Sequence, residues 1–180
     1  MRRVQIAALA ISLVGSTSCA TMMVGSHVQR SLDFAQYRTF DWGVPDALPT
    51  GDPRLDDNPF FNDHMQGAVE RQLAAKGLEL SASGTPDLLI HYHANVMQRI
   101  DVNRVDREYG YCSGDSCAGQ VVEYEAGTLI LDVVDSRTNR VVWRGWAQDR
   151  FVGVIDNRDR LERMINTAVA HMLARFPPPL

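Results

Sequence analysis

Hydrophobic positions fall into three regimes along the chain. Val4 to Val14 is an apolar run with no charged residue. Phe61, Met65, Ala68, Val69 and Leu73 recur at helical spacing as one stripe, with His64, Glu70, Arg71 and Lys76 off it. From Leu88 the pattern alternates: Leu88, Ile90, Tyr92, Ala94, Val96, Ile100 and Val102 against His91, His93, Asn95, Met97, Arg99 and Asp101. Alternation of that length predicts a half-buried strand with one packed face and one wet face.

Punctuation residues bound these regimes. Asn58-Pro59 supplies a cap and a first-turn proline for the helix, and Gly77 supplies its stop. Tyr37 to Trp42 reads as an earlier strand ended by Gly43 and Pro45, and Asp46 to Asn58 as a surface loop. Val121–Val134 and Val141–Val152 read as two further strands joined by the turn cluster 135–140. Gly127 interrupts the alternation of the first of these. A bulge there would keep Val122, Tyr124 and Ala126 on the same side as Leu129, Leu131 and Val133. A last helix starts near Asp156-Asn157 and stops at Pro177-Pro178-Pro179, with Leu161, Ile165, Ala168, Met172 and Phe176 on its apolar face. The order β-α-β-β-β-α predicts an α+β two-layer sandwich, a mainly antiparallel four-stranded sheet with two helices on one face.

The first apolar run has its own meaning. Met1-Arg2-Arg3, a mainly apolar run of about 11 residues and the small-residue patch Gly15-Ser16-Thr17-Ser18-Cys19-Ala20 have the layout of a secretory signal. The run is too short to span a bilayer, which takes about 20 residues. The chain therefore divides into a signal peptide, 1–18, a tether, 19–31, and a single domain, 32–178. Cys19 is the candidate lipidation site, with palmitate among its acyl chains and an outer-membrane address suggested by Ala20 after it. Cleavage after Ala20 without lipidation would instead leave a secreted or periplasmic protein. Export also suits the remaining cysteines, Cys112 and Cys117, an even pair able to form a disulfide in an oxidising compartment. A metal clip there would need two more ligands, and Ser113, Gly114, Asp115 and Ser116 are turn formers instead. The chain carries 18 basic and 22 acidic residues. Losing Arg2 and Arg3 deepens that excess, which argues against nucleic acid as a partner.

Glu125-Ala-Gly-Thr-Leu-Ile-Leu-Asp-Val-Val-Asp135, followed by Val141-Val-Trp-Arg-Gly-Trp-Ala147, resembles the DUF4136 family of bacterial lipoproteins. Tyr37-Arg-Thr-Phe-Asp-Trp42, Ala74-Ala-Lys-Gly77, Asp87-Leu-Leu-Ile-His-Tyr-His93 and Phe176-Pro-Pro178 extend the resemblance over nearly the whole domain. It implies an exported or membrane-anchored small α+β domain in the cell envelope. It brings no established activity and no functional residue.

Candidate chemistry gathers on the wet face. His91 and His93, two apart on a strand, point the same way and could grip a metal with Glu123, Glu125 or His64 as third ligand. The plainer reading makes them polar residues of a solvated sheet, and no metal or other cofactor is assigned. If Trp143 packs inward, Arg144, Trp146 and Gln148 point outward beside His91, His93 and Asn95. An outward Trp beside Arg and His is the composition of a recognition surface; the alternative is that the N-terminal segment or a loop covers Trp146, which then needs no partner. Asp132 with Asp135, and Glu123 with Glu125, are carboxylate pairs expected to face solvent. No Gly-x-Ser-x-Gly, phosphate-binding Gly loop or His-Glu-x-x-His occurs. The expectation is a non-enzymatic envelope lipoprotein domain, held to the membrane by its N-terminal lipid and presenting to an envelope protein either the open face with His91, His93, Asn95, Arg144 and Trp146 or the Cys112 loop. The alternative is a periplasmic binder of a small apolar ligand or metal ion through the same face.

Overall fold

Helix α1 (Pro59–Ala74) begins where the Asn58 side chain accepts the Phe61 amide, with Pro59 in the first turn. Its buried residues are the five of the apolar stripe. It ends at Gly77, whose φ of +84° suits glycine, and the Leu78 amide donates back to the Leu73 carbonyl at 3.1 Å. Helix α2 (Arg158–Leu173) is capped by Asn157, which accepts from the Arg160 amide at 3.0 Å. In the computed structural model the described residues are 22–44, 49–100, 123–151 and 153–177. The signal segment, Cys19 and the Cys112–Cys117 pair lie outside them.

Six strands form one mixed sheet: β1 (Met23–Val28), β2 (Thr39–Trp42), β3 (Glu79–Leu80), β4 (Leu88–Ile100), β5 (Glu123–Asp135) and β6 (Arg140–Arg150), in the spatial order β1-β6-β5-β4-β2-β3. The two-layer α+β architecture holds, with α1 and α2 packed together on one face. Two details differ from the expected four-stranded, mainly antiparallel sheet. Strand β2 is parallel to both β3 and β4, because α1 crosses back over the sheet between them, as parallel neighbours require. The sheet also claims Met23–Val28, inside the stretch read as tether, as an edge strand antiparallel to β6.

The bulge is elsewhere too. Register between β4 and β5 runs without a break through Val96 opposite Gly127. The irregularity falls between Val133 and Val134, which face Trp143 and Val141 and leave Val142 over. Gly127 instead leaves room for an aromatic ring, since a Cβ there would lie 1.9 Å from Phe151. Tyr124 and Ala126 consequently share a face with Ile130 and Asp132, opposite Leu129, Leu131 and Val133. The bulge at Val142 lets Val142 and Trp143, adjacent in sequence, both be buried.

One end of the sheet is tied by two carboxylates. Asp135, 4% exposed, accepts the Tyr37 hydroxyl at 2.8 Å, the Arg137 and Thr138 amides at 3.0 and 2.9 Å, and the Thr138 hydroxyl at 3.1 Å. Asp87 accepts the Arg38 and Thr39 amides at 2.8 and 3.1 Å, and its own carbonyl accepts the Ser136 amide at 3.0 Å. The expectation that Asp135 faces solvent is thus corrected: it turns back into the β5–β6 turn to satisfy that turn's amides. Burial alone would raise the Asp135 pKa, but the Tyr37 and Thr138 hydrogen bonds hold it below the ordinary carboxylate value. The Arg38 amide, against a burial effect of opposite sign, does the same for Asp87. Groups bound more tightly as anions stabilise the fold above their unfolded pKa, about 3.9, and lose that contribution as pH falls through the lower folded value. Urea unfolding of the protein is therefore expected to show a lower midpoint at pH 3 than at pH 7. Asp135→Ala should cost about 3 kcal/mol at pH 7 and flatten that pH dependence. An unchanged pH dependence in the variant would remove Asp135 from this role.

The open sheet face as candidate functional site

The face of the sheet away from the helices collects the side chains singled out by alternation. Rows of partners run across four strands: His91 with Asp132, Arg144 and His27; His93 with Ile130, Trp146 and Gly25; Asn95 with Thr128, Gln148 and Met23. All five expected binding residues, His91, His93, Asn95, Arg144 and Trp146, therefore lie on one surface. Trp143 is fully buried in the other direction, against Phe176 at a centroid distance of 5.4 Å.

Asp132 is the electrostatic centre of this face. It is buried, and the Arg144 guanidinium grips it with two bonds, Nε to Oδ1 at 2.5 Å and Nη2 to Oδ2 at 2.6 Å. The His93 Nε2 stands 3.7 Å from the same carboxylate. Hydrogen bonding to Asp132 raises the Arg144 pKa further above its usual value. The expectation that Asp132 faces solvent is corrected as well: its strand lies between β4 and β6, whose side chains cover it. Reading the sequence strand by strand missed Asp132 for that reason. The available signal was the shared parity of Asp132 and Arg144 on strands joined by a short turn.

Two glycines set the flanking aromatic and imidazole rings. Trp146 lies across Gly25, where a Cβ would come within 2.1 Å of the indole, and yet remains 39% exposed. His91 lies across Gly43 in the same manner. Strand β1, hidden in the tether reading, thus provides the bed for Trp146. The metal candidates are not brought together. His64 sits on α1 in the helical layer, with its Nδ1 2.7 Å from the Phe60 carbonyl. Glu125 faces the helices beside Arg54, and the Glu123 side chain lies outside the description. Among the described residues no three His, Cys, Asp or Glu side chains form a metal-holding group.

A family model described as a domain of unknown function, DUF4136, matches residues 24–178. The chain belongs to the DUF4136 family. Its fold is similar to that of a DUF4136 family protein from Bacteroides thetaiotaomicron, with a TM-score of 0.51 and 14% identity over 88% of this chain and 97% of that one. It is also similar to a PDZ domain protein from Parabacteroides distasonis, with a TM-score of 0.53 and 16% identity over 87% of this chain. The chain spans only 36% of that protein's length. At these identities the likeness is one of fold. No curated protein matches the chain. Among the described residues, no helix of this DUF4136 protein is long and apolar enough to cross a membrane.

The geometry separates an exposed pair from a buried one. Arg144 is half exposed, which alone would make its ion pair worth less than about 1 kcal/mol, but Asp132 is buried and would lose its charged donor. Arg144→Ala is expected to lower stability by about 2 kcal/mol in urea unfolding, with Arg144→Lys recovering only part because lysine cannot make the paired bonds. Gly25→Val should push Trp146 outward and increase quenching of tryptophan fluorescence by iodide. The same substitution in a Trp146→Phe background should leave quenching unchanged.

Proposed function

We propose that this DUF4136 protein is an exported, lipid-anchored, non-catalytic binding domain of the bacterial cell envelope that recognises a partner protein through its open sheet face. One observation carries the reading. His91, His93, Asn95, Arg144 and Trp146, from two strands, share one surface on which a half-exposed indole sits beside a charged pair held in fixed geometry. A rigid, amphipathic aromatic next to an arginine is the usual make-up of a protein-binding hot spot. Edge strand β1 extends this surface with Met23 and His27, and Met23 is 62% exposed.

The anchor adds a geometric constraint. Three peptide units separate Cys19 from Met22, so a lipid on Cys19 would hold the first described residue within about 11 Å of the anchored atom. The β1 edge would then stand next to the membrane surface, with the recognition face beside the bilayer. Several acyl chains, as a bacterial lipoprotein carries, would make that attachment stable, where one chain binds reversibly.

Two measurements test the reading. Labelling cells with a palmitate analogue should mark the protein and lose the mark in Cys19→Ala; label retained in the variant would remove the anchor from the proposal. A photo-crosslinking residue placed at 146 should capture a defined envelope protein that the same residue at Leu80, exposed on the opposite edge of the sheet, does not capture. Equal capture at both positions, or none at 146, would refute the face as the recognition surface.

A further inference from the structure

A cavity of about 430 Å3 opens along β4 beyond the end of β2, bounded by α1 and the loop before it, and its lining takes in Tyr92 and Ala94 from the helical side of β4 and His91 and His93 from the open face. That volume lies within the range of small-molecule sites, about 300–1,000 Å3. Its walls are built firmly. The Val96 amide donates to the Thr50 carbonyl at 2.7 Å, which ties the loop to β4, and Asp56 accepts the Thr50 amide at 2.7 Å.

Helix α1 presents Asn62, Gln66 and Glu70 to this side, four residues apart and so along one ridge. The outer two position aromatic rings from the sheet. Asn62 accepts the Tyr92 hydroxyl at 2.8 Å, and Glu70 accepts the Trp42 indole N–H at 2.9 Å. The two rings meet edge to face, 6.0 Å apart at 87°, and Phe61 meets Tyr92 in the same manner. Gln66 stands between the two pinned contacts and lines the cavity. Among the described residues its amide makes no hydrogen bond, so it offers both a donor and an acceptor to whatever enters.

We infer that this cavity binds a neutral sugar ring. A sugar has apolar C–H faces that pack on Trp42 and Tyr92, and hydroxyls that both donate and accept. Gln66 answers both roles, the free Asn62 N–H donors answer the first, and the Asp57 carboxylate accepts. The described lining carries the Asp56 and Asp57 carboxylates and the His91 and His93 imidazoles, with neither Lys nor Arg, so an anionic ligand meets two carboxylates and no fixed positive charge. An organic cation fits less well. The Asp56 and Glu70 carboxylates already hold the Thr50 amide and the Trp42 indole, and the amide donors of Gln66 and Asn62 would face its positive charge.

The test is an NMR titration of the protein with cellobiose, maltose and N,N′-diacetylchitobiose, set against glucuronate and tetramethylammonium. The Trp42 indole and Gln66 side-chain amide signals should shift with at least one neutral disaccharide at about 10 mM, a concentration that nearly fills a site of millimolar affinity. Gln66→Ala should weaken that binding about tenfold, the loss of roughly 1.4 kcal/mol. Because Ala favours helix over Gln and Gln66 supports no internal bond, the variant keeps its fold. Trp146→Ala, on the open face and outside the cavity lining, should bind as the parent does, which keeps this result separate from the open-face reading. No shift with any neutral disaccharide, an undiminished shift in Gln66→Ala, or a response to tetramethylammonium or glucuronate alone would overturn the inference.

Discussion

The fold depends on a buried carboxylate that serves two distant parts of the chain. Asp135 closes the β5–β6 turn through the amides of Arg137 and Thr138, and the same side chain receives the hydroxyl of Tyr37, 98 residues away. The parallel strand β2, which begins two residues after Tyr37, is thereby fastened at the end where β4 starts. Asp87 completes the join by accepting the Arg38 and Thr39 amides on that strand. A parallel strand brought in by a helical crossover has no hairpin to set its register. Here a hydrogen-bonded carboxylate on each side sets it. The three segments involved, around Tyr37, Asp87 and Asp135, are among those that carry the DUF4136 resemblance, which gives the resemblance a structural meaning.

With that end tied, the sheet divides its two faces between different tasks. The helical side buries Leu88, Ile90, Leu131, Val133 and Trp143 under α1 and α2. The other side stays open, and its polar groups are organised by neighbours on the sheet itself. Asp132 is covered because β4 and β6 flank it, Arg144 holds it from one side and His93 approaches from the other. Glycines set the aromatic geometry in both layers: Gly25 makes space for Trp146, Gly127 for the Phe151 ring and Gly145 for Trp143. An alanine at any of these positions would have to displace a ring.

Much of the architecture was legible where a local rule had no competitor. Asn58-Pro59 and Gly77 bounded α1 because caps act within a turn, and its apolar stripe was buried because any partner surface would bury it. The parity of β4 placed His91, His93 and Asn95 together, and the inward Trp143 placed Arg144 and Trp146 outward. Gly127 misled because an interrupted alternation has two explanations, an extra residue or a missing side chain whose space another residue fills. The first is local. The second requires knowing that Phe151 lies across the sheet. Met23–Val28 was illegible for a related reason. Its composition is weakly apolar, and only pairing with β6 makes it a strand.

By itself the sequence determined the two helices, the long alternating strand, the two-layer class and the set of side chains on the wet face. Each follows from periodicity and capping, which act between residues a few positions apart. The tertiary structure decided the number and direction of the strands, the place of the bulge, the burial of Asp132 and Asp135, and the cavity between Trp42, Tyr92 and Gln66. Those features come from residues far apart in the chain, brought together by strand pairing and helix crossover, and no local pattern encodes which distant partner a residue meets.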